Sequence, residues 1–421
     1  AMSSTHDPSE YIKGLLQILA SDKKQIGFLF GAGTSLSNAH IDITIPVISQ
    51  LTDQVVSHFD DNSVYKKALS EIKTELGEKQ FTIEQILSNL ESKKLLVSFE
   101  KLNGLTKAEF EKLIQQIKDK IHDSVSIHKK FFEDKTKSII DTVHYKFAQW
   151  IGRVSRKNPI EIFTTNYDFL FELGLEEAQV PFYDGFSGSF EPFFCPETVD
   201  DIQAYPKLTK LWKLHGSLGW DYNEAKGRVI KKGHSEGKLL IYPSHLKYHD
   251  SRKQPYVSLI DRLYSFLQRP DSILITCGYS FGDEHINERI ISSLRRSDCS
   301  HVFGFLFDKG LRGRASLTDK DNELRKLAEN CSRVSAYGMR SAVIGCKYGE
   351  WKLKNEPSKE DTPQVNTYFD EDFSVTAEVG TKGKGDEIWS GTGVFLLSDF
   401  SKLIIFLESM MASTSIDGEI K

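Results

Sequence analysis

Short apolar runs, each closed by glycine or by small polar residues, punctuate this chain from Ile26 to Tyr337. Ile26, Phe28, Leu29 and Phe30 form the first run, which suits a buried parallel strand. The turn Gly31-Ala32-Gly33-Thr34-Ser35 follows it. The same pattern recurs at Pro159–Thr165, Leu211–Leu214, Ser272–Cys277 and His301–Phe307, and Arg333–Tyr337 reads as the last strand of the sheet. Shorter β segments are expected at Trp220–Tyr222, Arg228–Ile230 and Leu239–Tyr242. Between these runs the period lengthens to that of a helix: Tyr11–Ala20, Phe169–Glu177, Tyr256–Leu267, Glu284–Leu294 and Lys320–Glu329.

Strands alternating with helices predict an α/β fold with a Rossmann-like parallel sheet. One stretch departs from the alternation. Pro46 suits the first turn of a helix, so Val47–Phe59 is expected to begin one, and the pattern stays helical to about Lys157. Thr82 with Gln85 fits a capping box ahead of Ile83, Ile86, Leu87 and Leu90. Leu113, Ile114, Ile117 and Ile121 mark a further helix, and Ser138–Arg156 another. Residues 47–157 therefore read as a helical insertion within a domain covering 1–345. Residues 346–421 read as a C-terminal extension: a polar linker at Asn355–Thr367, a mobile glycine-rich stretch at Gly380–Gly393, and a final helix at Asp399–Met411. That helix carries Phe400, Leu403, Ile404 and Leu407 on one face, which must bury against this subunit or a partner.

Composition removes several functional classes. A net charge of -5 over 421 residues gives no general attraction to nucleic acid. No apolar run is long enough to span a membrane and no signal-peptide pattern opens the chain, so a cytoplasmic location is expected. The five cysteines, Cys195, Cys277, Cys299, Cys331 and Cys346, form no C-x-x-C pair, which argues for reduced thiols and against a zinc ribbon. His245 and His249 have i, i+4 spacing without an evident third ligand, and His122, His128 and His144 lack ligand spacing. No metal is expected.

The candidate chemistry lies where strands end. Ligands of open α/β sheets bind at the carboxyl ends of the strands. Gly31 and Gly33 let backbone approach a ligand closely, and Thr34 and Ser35 offer hydroxyls and N–H groups to an anion such as a dinucleotide pyrophosphate. Thr165-Asn166-Tyr167-Asp168, His215-Gly216-Ser217 and Gly278-Tyr279-Ser280-Phe281-Gly282-Asp283 close three later strands.

In this order the stretches GAGTS, TTNYD, KLHGS and CGYSFGDEH resemble the sirtuin family of NAD-consuming enzymes. The resemblance implies that Gly31, Ala32, Gly33, Thr34 and Ser35 cradle the NAD phosphates. It places Asn166 and Asp168 beside the nicotinamide ribose, counts Thr165 among the cofactor-binding residues, and makes His215 the catalytic histidine. Gly278 and Ser280 would meet the adenosine side, with Asp283 among the cofactor-binding residues. The residue types agree with that chemistry. An amide can orient a ribose hydroxyl or a water, and a histidine can take a proton near neutrality.

Two features of protein-deacylating sirtuins are missing: the paired zinc cysteines and the G-I-P-D-F-R segment, where Ile45-Pro46 is followed by Val47-Ile48. The helical insertion and the Thr-Asn-Tyr-Asp form instead resemble the bacterial sirtuin-like branch that hydrolyses NAD+ during phage infection. The nearest resemblance is to the stand-alone subunit that acts with a HerA-type ATPase. The expectation is an NAD+ glycohydrolase, homo-oligomeric and gated by assembly or a partner. The alternatives are an NAD-dependent deacylase and a non-catalytic NAD or ADP-ribose scaffold.

Overall fold

The computed structural model describes residues 4–46, 48–201, 203–223, 225–232, 254–297, 299–310, 315–375 and 387–414. Its strands in chain order are β1 Thr5–His6, β2 Gln25–Phe30, β3 Glu161–Thr164, β4 Phe182–Tyr183, β5 Phe186–Ser187, β6 Phe193–Phe194, β7 Thr209–Lys213 and β8 Trp220–Asn223. They continue with β9 Arg228–Lys231, β10 Ser272–Cys277, β11 His301–Phe305, β12 Val334–Tyr337, β13 Ser341–Ile344, β14 Lys347–Trp351, β15 Phe369–Val375 and β16 Glu387–Phe395. Ten of them form the main sheet, in the order β1-β14-β13-β12-β11-β10-β2-β3-β7-β4. From β12 to β4 every neighbouring pair is parallel. The α/β, Rossmann-like expectation therefore holds.

Strand β2 organises the sheet because both of its faces are buried. Ile26, Phe28 and Phe30 enter one core with the helices Pro8–Ala20, Val143–Arg153, Leu170–Glu177 and Phe400–Thr414. Leu29 enters the other with Tyr256–Gln268, Glu284–Arg296 and Glu323–Asn330. Gly27 is required on that second side, since a Cβ there would lie 2.7 Å from the Phe266 ring. After β2 the chain builds outward through β3 and β7, then returns to place β10 on the other side of β2. The β2/β10 boundary is thus the topological switch point, where such sheets bind ligands.

The insertion has its own core. The helices Ile48–Ser57, Ser63–Leu76, Ile83–Leu96 and Lys107–Val125 close around Leu69, Ile86, Leu90, Phe110 and Leu113. Thr82 caps its helix by accepting from Gln85 N at 3.3 Å, and a reciprocal capping box occurs at Thr106 and Glu109. Ser138–Arg156 is split into a short 3-10 turn, Ile139–Asp141, and the helix Val143–Arg153, with Thr142 capping the second.

Several expectations need correction. Arg333–Tyr337 is not the last strand: β12 turns into the antiparallel pair β13–β14, and β1 then pairs with β14. The main sheet therefore runs past residue 345. The hairpin turns on Gly345 and Cys346, both at positive φ, the geometry of a two-residue primed turn that Gly-Cys does not advertise. Gly391 and Gly393 belong to β16 rather than to a mobile stretch. At Gly393 a Cβ would lie 2.4 Å from Asp370 O, so glycine serves close packing there. The expected linker holds a short helix, Thr362–Val365; between β3 and β7 lie β4, β5, β6 and the short helix Pro196–Asp200. Leu239–Tyr242, His245, His249, Gly380, Gly383 and Gly385 lie outside the described residues.

The final helix buries Phe400, Leu403, Ile404 and Leu407 within this chain, against Val143–Arg153 and the segment after the glycine turn. Phe400 lies 5.0 Å from Phe30, ring centre to ring centre, and Cys277 Sγ donates to Ser398 O at 3.6 Å. Among the described residues no helix is long and apolar enough to cross a membrane.

Candidate active site at the strand ends

The register aligns the four candidate stretches. Phe30 pairs with both Cys277 and Thr164, and Thr164 pairs with Lys213. The chain therefore leaves β10, β2, β3 and β7 along one edge, which brings Gly278–Asp283, Gly31–Ser35, Thr165–Asp168 and His215–Ser217 to a common rim.

At the switch point two turns interlock. Gly31 N donates to Cys277 O at 3.2 Å and Gly33 N to Gly278 O at 3.0 Å. A Cβ on Gly33 would lie 2.7 Å from Gly278 Cα, and one on Gly278, at φ 66°, would lie 2.5 Å from Thr34 N. These glycines are thus fixed first by the approach of one turn to the other. Thr34 N donates to Gly31 O at 3.0 Å, so three N–H groups of the turn already have protein acceptors. The segment continues as a 3-10 stretch, Ala32–Ile41, rather than an α-helix.

The hydroxyls expected to face a phosphate point inward. Thr34 Oγ1 donates to Gly31 O at 2.8 Å, and Ser35 Oγ donates to Asp168 Oδ2 at 3.1 Å. With their hydrogens committed, both hydroxyls can only accept from Asn166, whose Nδ2 lies 3.1 Å from Thr34 Oγ1 and 3.2 Å from Ser35 Oγ. This network settles which way the amide faces: its nitrogen looks into the glycine turn. All four side chains are buried. Burial pushes the Asp168 carboxyl above its ordinary range, against the pull of Lys213 and the hydrogen bonds from Leu170 N and Ser35.

Lys213 supports the rim from behind. Its buried Nζ donates to Asp168 O, to Tyr167 O at 3.2 Å and to Glu172 Oε1 at 2.8 Å. Burial raises the Glu172 carboxyl too, again opposed by Lys213. The trace of this support in the sequence is a lysine inside the apolar run Leu211-Trp212-Lys213-Leu214, which a buried strand tolerates only if the charge is paired.

On the other side of the rim, His215 Nε2 lies 3.0 Å from Asp283 Oδ2, and both side chains are largely buried. The other Asp283 oxygen, Oδ1, caps the helix Glu284–Arg296, accepting from His285 N at 3.0 Å and Ile286 N at 3.3 Å. Tyr167 tilts toward His215, with ring centres 6.4 Å apart. Beside them, Ser217 Oγ is buried with no hydrogen-bond partner among the described residues. The Asp283 pairing, Tyr167 and Ser217 were not assigned roles from sequence, since no local pattern joins residues so far apart along the chain.

Ala32, Ser280 and Gly282 are exposed, while Gly33, Thr165, His215, Gly278 and Asp283 are half-buried. They form the accessible side of the rim, over a floor of Thr34, Ser35, Asn166 and Asp168. Two cavities lie elsewhere. One of about 350 Å³ is lined by Tyr145, Gln149, Arg153, Glu177 and Gln179. The other, of about 440 Å³, is lined by His58, Asn62 and Gln116. Among the described residues no group of three metal-type ligands occurs.

Residues 160–333 match the SIR2-like domain family. The SIR2-like segment is less than half of the chain, yet it holds three of the four rim stretches. The fourth, Gly31–Ser35, comes from β2 outside it. A solved structure described as "Structural Basis for the Mechanism and Regulation of Sir2 Enzymes" aligns at 12% identity, covering 70% of this chain and 84% of that one. Its TM-score is 0.29. No curated protein matches the chain.

Proposed function

We infer that this chain cleaves NAD+ at the nicotinamide–ribose bond, releasing nicotinamide and ADP-ribose. The observation that carries the reading is the rim itself, where a SIR2-like segment brings Asn166, His215 and Asp283 to the strand ends beside the glycine turn of β2. The SIR2-like match supports NAD-related activity in general, and the residues at the rim suit the finer assignment.

In the proposed reaction the C1′–N bond breaks and its electron pair leaves with nicotinamide, neutralising the pyridinium. The ribose passes through an oxocarbenium-like state. Water adds at C1′ and gives up a proton, which His215 accepts. The accessible residues Ala32, Gly33, Thr165, Ser280 and Gly282 would receive the dinucleotide. Asn166, held by Thr34 and Ser35, offers its carbonyl oxygen to a ribose hydroxyl or the attacking water. A cell could not survive unrestrained loss of NAD+, so the activity is proposed to be gated by assembly of copies of this chain or by a HerA-type ATPase, in defence against phage. Leu95, Leu96 and Phe99 are exposed at the end of an insertion helix, a patch suited to a contact of that kind.

Asn166→Ala is expected to lower the rate of NAD+ cleavage by about 10²- to 10³-fold, the size of effect seen when one positioned polar group is lost from an active site. His215→Ala should do the same, with circular dichroism showing that both variants fold. Full activity in folded Asn166→Ala, with nicotinamide release as the assay, would remove the assignment.

A further inference from the structure

We propose that Asp283 is a positioning residue that fixes the tautomer of His215, so that Nδ1 is the nitrogen that takes the proton. This rests on the NAD+-cleaving reading of the rim, and departs from the sequence expectation that Asp283 touches the cofactor. A carboxylate has no hydrogen to give, so the 3.0 Å contact places the hydrogen on His215 Nε2. In the neutral imidazole the lone pair then sits on Nδ1. Asp283 is itself held: Oδ1 is committed to the first N–H groups of the helix Glu284–Arg296, and the single Tyr279 hydroxyl hydrogen is shared between Asn287 Oδ1 at 3.2 Å and Asp283 O at 3.5 Å. Asn287 in turn donates to Phe281 O at 2.7 Å, which braces the turn at Phe281, where φ is 57°. One carboxylate thus joins the start of a helix to the ring His215 presents at the strand end. Its two oxygens have separate tasks, which makes the tasks experimentally separable.

Asn at position 283 still caps a helix well, but presents an amide N–H group to Nε2 where a carboxylate oxygen stood. Asp283→Asn should therefore keep its melting temperature while moving the hydrogen of His215 to Nδ1. Asp283→Ser should keep the cap and delete the contact. The expected results are a fall in kcat of about 10²-fold or more in Asp283→Asn with little change in KM, and a switch of the His215 ¹⁵N resonances from the Nε2–H to the Nδ1–H pattern. A purely structural role for Asp283 would change the melting temperature and leave the tautomer alone. The resonances are read without turnover. If the wild-type chain fails to cleave NAD+ but Asp283→Asn still switches the His215 resonances, the functional reading falls and the dyad stands. Unchanged resonances together with wild-type kcat in Asp283→Asn would overturn the proposal.

Discussion

Glu161→Gln is expected to remove about 3–5 kcal/mol of folding stability, the cost of breaking a buried ion pair from one side. Glu161 opens β3 and is buried. Its Oε1 accepts from Arg262 Nη2 at 3.0 Å and Arg269 Nη1 at 2.6 Å, and its Oε2 from Arg262 Nε at 3.0 Å and Trp212 Nε1 at 2.8 Å. Burial pushes this carboxyl up, but the two guanidiniums outweigh it and hold the carboxyl below its ordinary range. A glutamine would keep the shape but turn an N–H group toward a guanidinium, leaving the buried Arg262 and the half-buried Arg269 without a counter-charge. Because Arg262 also donates to Val199 O at 3.1 Å, the clamp joins β3, β7 and two helices at the end of the sheet opposite the rim. With total stabilities of about 5–15 kcal/mol, a loss of this size is large. Urea unfolding at pH 7 measures it, and a loss under about 1 kcal/mol would show that the clamp is not what holds these elements.

Acid should weaken the fold through His144. Its ring is buried, 4.7 Å from Phe171 and 5.3 Å from Phe400 by ring centres, with Nδ1 3.1 Å from Asn38 Nδ2. Burial lowers its pKa to about 3, so the ring stays neutral in the folded chain. The unfolded chain protonates it near its ordinary value of about 6.5. Between these values the unfolded state binds more protons. The stability held above pH 6.5 is therefore lost as pH falls toward about 3, and by pH 5 the loss is about 2 kcal/mol. His301, lowered to about 4 by burial and then by Arg333, acts in the same direction but is partly exposed and contributes less. Asp168 and Glu172 act in the opposite direction. Their carboxyls are raised, so their contribution is full below the ordinary carboxylate range and is lost as pH rises through the raised values. The informative quantity is thus the difference between wild type and His144→Gln in urea unfolding at pH 7 and pH 5. The variant should lose about 2 kcal/mol less over that interval. An identical pH dependence in both proteins would show that His144 is not the acid-sensitive group.

Much of the sheet was legible because its central strands are apolar runs with abrupt polar ends. Ser272–Cys277 is predicted with the bounds the structure gives, and β2, β3, β7 and β11 differ by a residue or two at their ends. The outer strands were not legible. β13 and β14 are short and alternate weakly, and their turn uses a cysteine at positive φ. Glycine proved ambiguous, since Gly391 and Gly393 read as mobile but are glycines because neighbouring backbone and rings leave no room for a side chain. At the site, the stretches were legible and their internal bonding was not. That Thr34 and Ser35 turn inward, and that His215 meets Asp283, depends on which strand ends are neighbours, and sheet order is not written in any local pattern.

In the proposed function, four strand ends grip one nucleotide at a single rim. Amide hydrogen exchange of the wild-type protein with and without NAD+ tests it most directly. The expected result is protection of 31–35, 165–168, 215–217 and 278–283 together, with little change elsewhere. Protection confined to another place, such as the groove lined by Tyr145, Gln149 and Arg153, would contradict it.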